Sequence, residues 1–191
     1  LGEIETTFME DFSLNESGEL FIRWNISSSY TKLQFNELIS SLIHEFKHTG
    51  GMYDAFVQND GKLIGNEKIV IIRNMRDIIQ ISVTLRNFLQ TKYVKKQIQS
   101  EKLNLKFIDE YSFQLTHIYS AEEIQNVKSV KFWYEHYFKI EILNFTEDLK
   151  KALDDKIITE EEAIGLISTL DQMILGAAIL YNKLSYENLT K

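Results

Sequence analysis

The segment AIGLISTLDQMILGAAIL, residues 163–180, constrains the fold of this chain more than any other. It is apolar on most sides and is interrupted only by Ser168, Thr169, Asp171 and Gln172. A helix that is apolar all round needs cover on two sides. Either it is the central helix of a domain, or Gly176, Ala177 and Ala178 let two copies approach closely in a homodimer. The polar interruptions make it a poor membrane span, so no membrane association is expected.

The rest of the chain is read outward from that helix. LFIRWNI at 20–26 alternates with period two, as a strand does, and the turn signal NESGE at 15–19 makes residues 7–13 its hairpin partner. Thr31 with Gln34 forms a capping box ahead of Phe35, Leu38, Ile39, Leu42, Ile43 and Phe46 at helical spacing, and Gly50 is the expected stop. Tyr53–Val57 and Lys68–Ile72 read as strands around NDGK at 59–62, with a second helix over 75–98. LNLKF at 103–107 and YSFQLTHI at 111–118 read as a third hairpin. A long helical run follows from about Ala121 to Leu153 behind Ser120 and Glu123. The final helix runs from Glu160 to about Leu184 behind Thr159 and Glu162.

This order predicts an α+β fold: an antiparallel sheet of short hairpins covered by helices, with two long C-terminal helices. One domain over 1–191 is the simplest division. The alternative is a sheet-containing part over 1–118 followed by a helical hairpin over 119–191.

Composition excludes some chemistry. The 191 residues contain no cysteine, so disulfides, thiolate metal sites and cysteine nucleophiles are ruled out. The formal net charge of -7 counts against a general nucleic-acid binder. Arg73, Arg76, Arg86, Lys92, Lys95 and Lys96 are the residues from which a basic patch would have to be built, which makes nucleic acid the lowest-ranked partner. No phosphate loop and no nucleophile elbow occurs. The lack of proline and the wealth of Ile, Lys and Asn fit an AT-rich bacterial or phage gene, and a cytoplasmic location is expected.

One short stretch does carry a recognised spacing. IHEFKHTGG at 43–51 holds His44, Glu45 and His48 as HExxH. On a helix, residues four apart share a face, so the two imidazoles can meet one zinc ion while Glu45 acts as general base on its water. Gly51 matches the glycine of the longer pattern HExxHxxGxxH, and Asp54 stands where that pattern has a third histidine. From His44 to Asp54 these eleven residues resemble the zincin metallopeptidases. The resemblance implies a zinc-dependent hydrolase with His44, His48 and Asp54 as ligands and Glu45 as its catalytic residue. Glu122, Glu123, Glu135, His117 and His136 are other candidates for the third ligand. Against a zinc site, the helical wheel turns His44 and His48 well away from the apolar stripe centred on Leu42 and Phe46, and Lys47 adds a positive charge. The expectation is therefore a chain without a cofactor, with zinc as the alternative.

The densest aromatic segment is FWYEHYFKIEI at 132–142. Phe132, Trp133, Tyr134, Tyr137 and Phe138 surround one helix and form a candidate binding interface, because Trp and Tyr combine large area with a polar handle. The sequence reading is thus a non-enzymatic intracellular protein-binding module of immunity-like, inhibitory or regulatory type. A zinc hydrolase at 44–48 is the alternative, and a homodimer is a further expectation.

Overall fold

A computed structural model describes residues 6–14, 20–59, 66–100, 104–107, 112–119 and 130–189. Two strands, β1 (Thr6–Leu14) and β2 (Leu20–Ser28), open the chain, and a 3-10 turn over Ser29–Lys32 leads into helix α1 (Phe35–Gln58). Helix α2 (Glu67–Tyr93) follows, then β3 (Asn104–Phe107) and β4 (Ser112–Tyr119). A short α3 (Val130–Trp133) passes through one π turn, Tyr134–Phe138, into α4 (Lys139–Leu153). The last element is α5 (Glu160–Leu189).

The α+β expectation is overturned. The fold is mostly helical, and its core is made by helix on helix. The largest interface joins α2 to α5, with α1 on α2 and α4 on α5 completing the bundle. Leu42, Met75, Ile78, Phe145, Leu166, Leu170 and Tyr181 meet in one continuous core. The strands form a small antiparallel sheet in the order β1-β2-β4-β3, not a layer that the helices cover. Pairing runs from Thr6 opposite Ser28 to Leu14 opposite Leu20, and Leu105 lies opposite Leu115. Phe113 and Leu115 join the sheet to the helical core.

Two expected strands are helical instead. The predicted stop at Gly50 does not occur, because the buried stripe Leu38, Leu42, Phe46, Thr49 continues at the same spacing to Phe56. Two helical glycines cost about 1 kcal/mol each, and burying Phe56 returns about 2 kcal/mol. The run IVII at 69–72 likewise belongs to α2. Ile71 enters the core and leads on to Met75 and Ile78, while Ile69 and Val70 stay exposed. The hairpin strands at both sheet positions fall where their alternation places them. The NDGK turn and the box at Ser120 lie largely or wholly outside the described residues.

α5 takes the central position. Ala163, Leu166, Leu170, Met173, Ala177, Ala178, Leu180 and Tyr181 are all buried. Within Glu160–Ser185 an 18-residue window is long and apolar enough to cross a membrane by length and composition, and 61% of that window is buried within the chain. Its apolar character is therefore spent on the core. The capping box at its start forms: Glu162 N–H donates to Thr159 Oγ1 at 3.1 Å and Thr159 N–H to Glu162 Oε1 at 3.0 Å.

Candidate metal centre

His44, Glu45 and His48 lie midway along α1, on the side that meets solvent and the flank of α2. One ligand atom from each lies within 4.8 Å of the others. The rings of His44 and His48, one helical turn apart, sit 4.3 Å centroid to centroid, edge to face. Glu45 Oε2 is 3.6 Å from His48 Nδ1. Both histidines are exposed, as the helical wheel requires, whereas the Glu45 side chain is only 13% exposed because it turns toward α2.

α2 supplies what holds Glu45. Asn74 Nδ2 donates to Glu45 Oε2 at 2.8 Å and to the Glu45 carbonyl at 3.1 Å. Thr49 Oγ1, one turn beyond Glu45, lies 2.7 Å from Asn74 Oδ1 and 3.0 Å from the Glu45 carbonyl. Thr49 and Asn74 are both buried. Asn74 thus donates directly to the carboxylate, and Thr49 holds the Asn74 amide from behind, which fixes the direction of Glu45.

Asp77 stands one turn beyond Asn74 on α2. Burial and then the Glu45 charge push its carboxyl from an ordinary 3.8 up to about 6, opposed by Arg76, His48 and Arg73. Tyr30 is raised by burial and by Asp77 and Glu45. The side of the cluster facing α2 is therefore acidic.

Asp54 is not brought to the histidines. α1 continues unbroken through Gly51, so Asp54, six positions on from His48, lies about 9 Å away along the axis. In the extended zincin pattern the chain must bend at the glycine for the third ligand to return, and here it does not. Asp54 instead lies near Tyr53 and Tyr134, whose hydroxyls it helps to raise. Of the other ligand candidates, Glu135 accepts a hydrogen bond from the Tyr53 hydroxyl and His136 packs on Phe132. Glu122 and Glu123 lie outside the described residues, as does the side chain of His117.

The aromatic segment divides. Trp133 and Phe138 are core residues, 1% and 0% exposed. The π turn brings residues five apart into line, so their rings stack at 4.5 Å. Trp133 Nε1 donates to the Gly176 carbonyl at 2.7 Å, and a Cβ on Gly176 would come within 3.2 Å of Phe138. Gly176 of α5 thus leaves room for this aromatic pair. Tyr134 stacks on Tyr53 of α1 at 4.2 Å, and Phe132 is half-buried. The Tyr137 side chain lies outside the described residues. A partner can reach neither Trp133 nor Phe138 on the surface.

The basic candidates also separate. Arg86 is buried, its Nε 2.5 Å from Asp171 Oδ1 and its Nη2 2.8 Å from the Ile98 carbonyl. It is unavailable to a phosphate backbone.

Sequence reasoning missed two features. Asn74 and Asp77 face the His-Glu cluster, and their signal is polar residues at positions 74 and 77 beside the apolar stripe Ile71, Met75, Ile78. The second is the corner between α4 and α5. There Ile157 is 68% exposed, with Leu153 and Ile164 also exposed. No family model, no curated protein and no solved structure matches this chain.

Proposed function

We propose that the chain is a non-enzymatic protein-binding module, working inside a bacterial or phage-infected cell as an immunity-like, inhibitory or regulatory protein. The observation that carries this reading is the corner between α4 and α5. Ile157 projects from a six-residue connector with 68% of its surface exposed, between the exposed side chains Leu153 and Ile164. Asp154, Asp155, Glu160 and Glu161 are exposed at the flanking positions, together with Lys150, Lys151 and Lys156.

The connector is held rather than loose. Ile157 N–H donates to Asp155 Oδ1 at 3.1 Å, Lys156 N–H to the Leu153 carbonyl at 3.2 Å, and Lys156 takes φ 63°. The Thr159–Glu162 box fixes the far end. A fixed apolar tip loses little entropy on binding, which is what an anchor residue requires. The four carboxylates, set against three lysines, favour a partner whose apolar pocket is rimmed mainly by Lys or Arg.

The hydrolase alternative is less well supported. A general base needs a carboxylate free to act on metal-bound water, and the Glu45 carboxylate is engaged by Asn74. The third-ligand position is also carried away along α1.

The test begins with a partner isolated from the source cell on the full chain and then purified. Calorimetry should give a fixed stoichiometry, affinity that falls with salt, and at least a tenfold loss for Ile157→Asp. Binding unaffected by Ile157→Asp, or the lack of any stoichiometric partner, would refute the proposal.

A further inference from the structure

We infer that His44, His48 and Glu45 form a zinc site in which Glu45 is a ligand rather than a general base, held in place by Asn74 of α2. This site is independent of the corner at Ile157, and neither result decides the other.

The ligand types select the metal. Two imidazoles and one carboxylate suit a borderline cation such as Zn²⁺, whereas Ca²⁺ and Mg²⁺ take oxygen ligands. Zinc bonds of about 2.0–2.2 Å place neighbouring ligand atoms roughly 3–3.5 Å apart. The present spread of up to 4.8 Å therefore has to contract by roughly 1.3–1.8 Å. Rotation of the side chains can supply this, because the His48 side chain is 55% exposed and nothing on α1 needs to move with it.

Glu45 is the part already in place. Asn74 binds its carboxylate and its carbonyl together, and the Thr49 hydroxyl fixes the Asn74 amide in turn. Hydrogen-bond partners of this kind orient a metal ligand and commonly contribute 10–100-fold in affinity. Two neutral imidazoles and one carboxylate leave the bound ion with one positive charge. Asp77 acts on both Glu45 and His48 from α2 and offsets that charge, partly countered by Arg73 and Arg76. Lys47 is exposed on α1 between the histidines in sequence. Three protein ligands leave a fourth position open to solvent.

The test is titration of the full, untagged chain with ZnCl₂ after exhaustive removal of metal by a chelator, followed by calorimetry. One Zn²⁺ per chain is expected. His44→Ala and His48→Ala should each abolish stoichiometric binding. Glu45→Gln should weaken it at least tenfold, and Asn74→Ala about tenfold, since Asn74 is a positioning residue. Circular dichroism on each variant separates loss of metal from loss of fold. Both histidines are exposed, so truncating them leaves the core intact. Failure to bind one Zn²⁺ would overturn the inference. Full affinity in Glu45→Gln would also overturn it, because the site would then be a two-histidine clip without the glutamate. Equal affinity for Ca²⁺ would contradict the assigned ligand chemistry.

Discussion

Asp77→Asn should stabilise this protein, and the gain should depend on pH in a defined direction. The Asp77 carboxyl is half-buried against Glu45 and is raised from 3.8 to about 6 in the folded chain. A raised carboxylate favours the protonated form in the native state. Its stability contribution is therefore complete below about pH 4 and is lost as the pH rises through 6. A shift of about two units corresponds to ~3 kcal/mol at ~1.4 kcal/mol per unit. Partial exposure screens the charges, so ~2 kcal/mol is the expected effect. Asparagine keeps the shape and removes the charge. Urea denaturation with a chelator present, at pH values from 4 to 8, should show the variant and the wild type equal near pH 4. At pH 8 the variant should be ~2 kcal/mol more stable, a rise in Tm of about 4–8 °C for a chain of this size. A variant that is less stable at pH 8, or a difference that does not change with pH, would refute the placement of Asp77 beside Glu45.

Two further outcomes test the fold. Gly51→Ala should stabilise by about 0.5–1 kcal/mol in chemical denaturation, because Gly51 is inside α1 and a Cβ there meets nothing within 4 Å; destabilisation would mean that the helix ends where the sequence places its stop. Arg86→Ala should cost about 2–4 kcal/mol at neutral pH by leaving the largely buried Asp171 without its partner, and a loss below 1 kcal/mol would show that the pair is solvated.

The helices and hairpins were legible where one signal acted alone. Alternation in LFIRWNI and the Thr159–Glu162 box each have a single reading, and each forms as read. The glycine pair at 50–51 is different, because the local and the tertiary signals conflict. Glycine after a helical run is a common stop, but the stripe through Phe46 and Thr49 continues to Phe56, and that burial offsets the propensity cost, so the helix runs on. IVII at 69–72 fails for a related reason. Four apolar residues fit a buried strand or one helical turn, and only Met75 and Ile78 further on decide between them. These two misreadings removed two strands from the expected sheet and added two long runs to the helices. The fold class changed with them.

The site was legible along one helix and not across two. The spacing of His44, Glu45 and His48 fixes their common face on α1 from sequence alone, and their exposure follows from the position of Leu42 and Phe46. What the spacing cannot show is the opposite wall. Asn74 and Asp77 reach the cluster because α1 and α2 pack at a particular register, which is set by burial of Leu42, Phe46, Met75 and Ile78 together. The same limit explains Asp54. Its distance from His48 depends on whether the chain bends at Gly51, and the deciding residue, Phe56, lies beyond the motif. A metal motif of this kind is thus only as good as the helix end that follows it. In this chain the helix does not end there, so among the described residues the carboxylate grouped with the histidines is Glu45 itself, and α2 turns it toward the ligand role proposed above.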